Sequence, residues 1–100
     1  MPLASYLPEA VVDLEAIWRF IQLESRSADV ADKVVRAIYD KCDLYAHQPL
    51  LGELRPDLVS QLRCFSVGNF VVFYLPAEDG IDVLQVIHGA QDIPAHFRRK

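Results

Sequence analysis

The side chains best suited to chemistry in this 100-residue chain are a few arginines and histidines in its C-terminal half. Cleavage of RNA without a metal needs a base for the 2′-hydroxyl, an acid for the leaving oxygen and cations for the phosphorane charge. The candidates are Arg55, Arg63, His88, His96 and the terminal Arg98-Arg99-Lys100. Because Phe70–Leu75 and Ile81–Val86 contain no basic residue, a catalytic sheet face would depend on Arg63 and His88 alone. This supply of cations is poor for a nuclease.

Other kinds of catalytic or binding site have little support in the sequence. The histidines His47, His88 and His96 are not spaced i, i+4 and have no CxxC motif beside them, so no metal is expected. The serines and cysteines lack the glycine-framed turn that exposes a nucleophile. Four scattered glycines form no phosphate-binding loop, and no cofactor is expected.

Composition points to one globular domain, residues 1–100, that binds proteins. The chain is 52% hydrophobic but has no apolar run of the ~20 residues that a membrane helix needs, and no signal peptide is recognisable. Cys42 and Cys64 are expected to be buried, reduced thiols, which suits a cytosolic protein. A net charge of −4 argues against sequence-specific nucleic-acid binding by the chain alone and allows at most a local patch.

The stretch Leu62–Asp92 predicts the sheet that must position these residues. Leu62–Val67, Phe70–Leu75 and Ile81–His88 are rich in aromatic and β-branched residues. Gly68-Asn69 is suited to a two-residue hairpin, and a longer polar turn follows the second strand. The three runs therefore predict an antiparallel meander.

Two helices are predicted to lie between a first strand, Leu3–Leu7, and the meander. Apolar residues recur with helical spacing from Glu9 to Glu24 and again from Ser27, a potential N-cap, to His47. The short break between them makes the pair an antiparallel hairpin. The predicted fold is α+β with the order β-αα-βββ, in which the hairpin covers one face of an antiparallel sheet. After Gly89, one helical turn and a Phe97 packed back on the core are expected.

The first helix has two apolar stripes. One of them contains Leu14, Ile17 and Ile21 and suits the core. The second stripe is displaced around the helix and consists of Val12, Ala16, Phe20 and Leu23. This stripe is covered by the neighbouring helix in one interpretation, and left partly open for a partner in the other.

Several short motifs in a fixed order give the chain a family resemblance. They are Pro8-Glu9-Ala10 with Asp13-Leu14 and Ile17, Pro49 with Gly52, Arg55 and Pro56, then Leu62-Arg63, Val67-Gly68, Phe73-Tyr74, Gly80-Ile81, and His88-Gly89-Ala90 with Asp92-Ile93. Together with the β-αα-βββ order, this series resembles the RelE/ParE superfamily of small toxins from bacterial toxin–antitoxin operons. The resemblance covers most of the chain and is strongest to the ParE branch.

The resemblance implies that the chain poisons DNA gyrase and is held silent by a cognate ParD-like antitoxin. The residues expected to bind the target are Arg55, Arg63, His88, Gln91, Arg98, Arg99 and Lys100. RelE-like members instead cleave mRNA on the ribosome, for which Arg63 and His88 are the available catalytic pair. This chain has no lysine on its predicted strands, and Phe97 stands where that branch has a tyrosine. Gln91 replaces a common arginine, which leaves open a non-toxic relative that still binds an antitoxin.

The antitoxin is expected to wrap its C-terminal segment around the toxin. The second stripe, Val12, Ala16, Phe20 and Leu23, is the predicted docking surface, with acidic residues available for basic ones on the partner. Both a helix in a groove and an added strand are compatible with the sequence.

Overall fold

The computed structural model describes residues 1–98, except the side chain of Arg98. Two long helices and five strands make up most of this part of the chain. Their order is β1 (Leu3–Tyr6), α1 (Pro8–Ser25), α2 (Ala28–His47), β2 (Glu53–Leu54), β3 (Arg63–Val67), β4 (Phe70–Ala77), β5 (Gly80–His88) and α3 (Ile93–Arg98).

The strands form one sheet in the order β1-β5-β4-β3-β2. The predicted α+β class, the helical hairpin and the meander are confirmed. One feature of the expected sheet is wrong: β1 runs parallel to β5, with Leu3 opposite Gly80, so the sheet is mixed rather than wholly antiparallel. Gly80 has φ 131, and a Cβ at this position would collide with the carbonyl oxygen of Leu3. The close parallel pairing of β1 therefore requires glycine at position 80.

The turn between β3 and β4 is the predicted two-residue hairpin. Gly68 has φ 57, and Asn69 does not have a positive φ. This combination is typical of a hairpin turn in which only the first central residue is left-handed. Opposite the Phe73–Tyr74 step, β5 carries one extra residue, Leu84, which forms a β-bulge. The bulge shifts the alternation of the side chains in the second half of β5.

The helical hairpin covers one face of the sheet. Ala10, Leu14 and Ile17 of α1 pack with Ile38 and Cys42 of α2 in a cluster that continues through the sheet face. Ser27 is the N-cap of α2, as predicted, because its Oγ accepts a hydrogen bond from the Val30 amide at 3.2 Å. The opposite face is covered by the loop that precedes β3 and by α3. Phe97 of α3 packs on Phe73 with ring centroids 5.0 Å apart, as expected from the sequence.

Both cysteines are buried, in different clusters on opposite faces of the sheet. Burial raises the pKa of the Cys42 thiol to about 11, so this side chain is a proton-bearing part of the core at neutral pH. Within residues 1–98, no helix has the apolar length that crossing a lipid bilayer would require.

Candidate functional site

A groove of about 390 Å³ lies between α1, the end of β5 and α3. Four residues of α1 form one wall, and residues of β4, β5, the following turn and α3 form the rest. The lining consists of Asp13, Ala16, Ile17, Phe20, Phe70, Val86, Ile87, His88, Gln91 and His96. Most of these side chains are apolar, and the polar ones are Asp13, His88, Gln91 and His96.

The groove exists because β1 is shorter than its neighbour. β1 pairs with β5 only as far as Val83, whereas β5 continues to His88 and so exposes one edge. Two side chains supply the missing hydrogen-bond acceptors along that edge. Asp13 Oδ2 accepts from the Val86 amide at 2.9 Å, and Gln91 Oε1 accepts from the His88 amide at 3.1 Å. The Val86 and His88 amides on this edge therefore have hydrogen-bond partners without a neighbouring strand.

The ring of His88 is fixed in one tautomer by the turn that follows β5. Its Nδ1 accepts a hydrogen bond from the Ala90 amide at 3.1 Å, and its ring packs edge-on against Phe70 at 5.4 Å. In the neutral ring the hydrogen is then on Nε2, which donates rather than accepts. Held this way, His88 is not arranged as a general base.

Next to the groove, the first turns of α1 meet β5 in a shallower acidic pocket. This pocket, about 310 Å³, is lined by Pro8, Glu9, Val12, Asp13 and Gln85, so it shares Asp13 with the groove. Gln85 follows the bulge, is only 7% exposed, and places Nε2 3.4 Å from a carboxylate oxygen of Glu9. Its Oε1 is buried and has no hydrogen-bond partner among the described residues.

The Asp13 carboxyl is held in an environment that disfavours its charge. Partial burial raises its pKa above the ordinary value, while the hydrogen bond from Val86 and the nearby His96 imidazole act in the opposite direction. A carboxylate in this position gains more from an added cation than a fully solvated one does.

The predicted second stripe of α1 lies on the surface beside these two pockets. The exposed fractions are 61% for Val12, 53% for Phe20 and 73% for Leu23, and Ala16 is also exposed. The neighbouring helix therefore does not cover the stripe. Its role in binding an antitoxin stays a prediction.

Arg55 and Arg63 lie on the β2–β3 side of the sheet and are engaged in local contacts. Arg55 forms a two-pronged ion pair with Asp57, with both N–O distances 3.0 Å. Arg63 donates to the carbonyl oxygens of Leu50 at 3.0 Å and Gly52 at 2.8 Å. The structure thus joins His88 and Gln91 in the groove, and it places Arg63 in a different pocket with Leu50 and Leu54. The side chain of Arg98, and all of Arg99 and Lys100, lie outside the described residues.

Several residues at these sites were not singled out as candidates. They are Asp13, which the sequence indicates only as part of a family motif, Gln85, and the exposed Leu50, Leu51 and Leu54. A polar Gln85 between Leu84 and Val86 in a strand was the only signal of the acidic pocket. Within the described part of the chain, no group of three or more His, Cys, Asp or Glu side chains could hold a metal ion.

Comparisons with known proteins agree with this architecture. The family described as the ParE toxin of the type II toxin-antitoxin system parDE matches residues 4–93. A solved structure described as the chromosomal ParDE TA system from P. aeruginosa superposes with a TM-score of 0.73 at 20% identity, covering 88% of this chain and 96% of the other. This likeness shows a shared fold. No curated protein matches the chain.

Proposed function

Because the chain belongs to the ParE toxin family of type II toxin–antitoxin systems, we propose that it acts on DNA gyrase in the cytoplasm. In this proposal it binds the enzyme and does not hydrolyse RNA. A cognate ParD-like antitoxin keeps it silent by docking on α1 and the adjacent groove. Family membership supports the toxin assignment, and the geometry of the groove supports binding over catalysis.

The observation that carries the proposal is the lining of the groove. It contains two imidazoles, His88 and His96, and one carboxylate, Asp13, but no lysine or arginine among the described residues. A pentacovalent phosphate needs cations or preorganised donors around its oxygens. Asp13 would repel such a group. Since His88 Nδ1 is already an acceptor, the His88 ring is not free to act as the base.

The exposed stripe on α1 supports an antitoxin as the second partner. Val12, Phe20 and Leu23 present large side chains to solvent, next to a groove with an apolar floor. Contiguous apolar surface of this kind usually marks a protein interface. The antitoxin would cover it and hold the toxin in an inactive complex.

The proposal is tested by inducing the chain in bacteria with and without the neighbouring antitoxin gene. We expect growth arrest with relaxed reporter plasmids when the chain is expressed alone, and normal growth when the antitoxin is co-expressed. Primer extension on translated messages should show no new 5′ ends at codon positions. Ribosome-dependent cuts, or normal growth on induction alone, would contradict the proposal.

A further inference from the structure

We propose that two copies of this chain associate in solution through the outer edge of β2, with the two strands antiparallel and a two-fold axis at Leu54. This inference goes beyond the binding of gyrase and antitoxin and does not depend on either. It concerns the other end of the sheet from the groove, because β2 is the terminal strand on that side of the order β1-β5-β4-β3-β2.

The backbone of Leu54 presents one donor and one acceptor at this edge. In the described part of the chain, β2 pairs only with β3, and Leu54 lies opposite Arg63. The Arg55 amide donates to Leu62 O at 2.7 Å, so the alternation of an antiparallel pair turns the N–H and C=O of Leu54 away from β3. A second copy placed on the two-fold axis would therefore form two hydrogen bonds, each between Leu54 of one copy and Leu54 of the other.

The backbone of this edge is available at Leu54 but not at the next outward-facing positions. On one side, the Gly52 amide donates to the Tyr74 hydroxyl at 3.0 Å, and Gly52 O accepts from Arg63 at 2.8 Å. On the other side, Pro56 has no amide hydrogen to donate. The pairing of β2 with a second copy is therefore short. Its two-fold symmetry closes it as a dimer, and it does not continue as a growing sheet.

The charged side chains that flank Leu54 are complementary to themselves under this two-fold axis. Glu53 and Arg55 lie on the same face of the strand because side chains alternate along it. Burial raises the pKa of the Cys64 thiol, Glu53 raises it further and Arg55 lowers it, so both side chains lie near Cys64. In the antiparallel pair, Glu53 of each copy lies opposite Arg55 of the other, which gives two ion pairs. Asp57 takes two of the five guanidinium donors of Arg55 and leaves others for this contact.

Exposed leucines add apolar surface around the same axis. The exposed fractions are 69% for Leu50, 56% for Leu51 and 47% for Leu54. Leu50 and Leu54 line one pocket of about 450 Å³ together with Arg63. Arg63 and Tyr74 fix the backbone of the loop through hydrogen bonds, so the leucines are presented on an ordered segment. Association then requires little further ordering of this loop.

The distribution of charge favours a second copy as the partner at this edge. The chain has a net charge of −4, so two copies repel each other in most orientations. At the β2 edge, the acids Glu53 and Asp57 are balanced by Arg55 and Arg63. A contact at this edge is therefore close to neutral as well as self-complementary. Because the surface is small, we expect a weak dimer.

The experiment measures the mass of the full chain by analytical ultracentrifugation from about 1 μM to about 1 mM, the range in which a small interface dissociates. Glu53→Arg and Arg55→Glu each place like charges opposite each other twice per dimer. Each should raise the dissociation constant at least about tenfold. Glu15→Arg and Arg36→Glu make the same charge changes at exposed helical positions. These matched controls should change the dissociation constant less than about twofold.

Mixing the two variants tests the register of the pairing. A dimer that contains one Glu53→Arg copy and one Arg55→Glu copy has two pairs of opposite charge, so association should reappear in the equimolar mixture. Circular dichroism verifies that each variant is folded. A measurement that needs no variant is hydrogen exchange of the Leu54 amide, which should slow as the wild-type concentration rises.

Four results would overturn the inference. The wild-type chain could be monomeric over the whole concentration range, or either charge variant could associate as tightly as wild type. The folded variants could fail to associate on mixing. Finally, exchange of the Leu54 amide could be independent of concentration.

Discussion

For Arg63, contact with the target can be distinguished by experiment from stabilisation of the fold. Its guanidinium bonds the carbonyl oxygens of Leu50 and Gly52, and Tyr74 holds the same loop from inside. The Tyr74 hydroxyl donates to Pro49 O at 2.7 Å and accepts from the Gly52 amide at 3.0 Å. Arg63→Ala should therefore release the loop that presents Leu50 and Leu51 to solvent.

The size of the effect follows from the two carbonyls. A hydrogen bond from a charged donor contributes about 1.5–3 kcal/mol when its acceptor is shielded from water. Gly52 O is partly buried and the contact to Leu50 O is exposed, so mainly one bond counts. A loss of about 2 kcal/mol in a domain of this size lowers the melting temperature by about 8–16 °C. Tyr74→Phe should cost about 1–3 kcal/mol because it leaves the buried Gly52 amide unpaired.

The assay combines thermal unfolding with gyrase inhibition measured well below the melting temperature. Arg36→Ala, an exposed arginine on α2, is the control and should change stability by less than about 0.5 kcal/mol. We expect Arg63→Ala and Tyr74→Phe to be less than additive, because both side chains hold one loop. Per folded molecule, Arg63→Ala should still inhibit gyrase. A variant that melts like wild type but has lost inhibition would refute this reasoning and establish Arg63 as a contact residue.

Three further predictions concern single residues. Asp13→Asn should stabilise the chain at neutral pH, because the raised pKa of Asp13 in the folded state means that its ionisation opposes folding. The titratable groups that line the same pockets as Asp13 are the His96 and His88 imidazoles and the Glu9 carboxylate. The gain in free energy of unfolding should vanish as the pH falls below the ordinary range of carboxyl pKa values. Urea titrations in which Asp13→Asn and wild type differ in stability by the same amount at every pH would contradict this prediction. Cys42, fully buried with a raised pKa, should resist thiol reagents until the chain unfolds, and rapid labelling of the native chain would argue against the packed core. Gln91→Arg removes the acceptor of the His88 amide, so we expect a stability loss of about 1 kcal/mol or less, together with stronger gyrase inhibition; weaker inhibition in the variant would show that Gln91 itself contacts the target.

The local features of the fold were predictable because short-range chemistry determines them. Alternating apolar residues and Gly68 place the hairpin between β3 and β4, and Ser27 starts α2 through its own side chain. The parallel pairing of β1 was not predictable from these signals, because strand propensity is the same for either direction. β2 has only two residues, too few for a periodic pattern.

The groove was only half predictable for a related reason. The second stripe of α1 follows from helical periodicity, although its exposure does not, and the sequence also indicated His88 and Gln91. Their meeting depends on the contact between Asp13 of α1 and Val86 of β5, which are 73 residues apart in the sequence. The burial of the unpaired Gln85 Oε1 depends on the bulge at Leu84, and no local residue pattern predicts that bulge.

The most direct measurement is supercoiling of relaxed plasmid by purified DNA gyrase, with the chain added from substoichiometric to micromolar amounts. We expect supercoiling to fall as the chain is added and to recover when equimolar antitoxin is supplied. Unchanged supercoiling at micromolar excess of a correctly folded chain would contradict the claim that it works by binding gyrase.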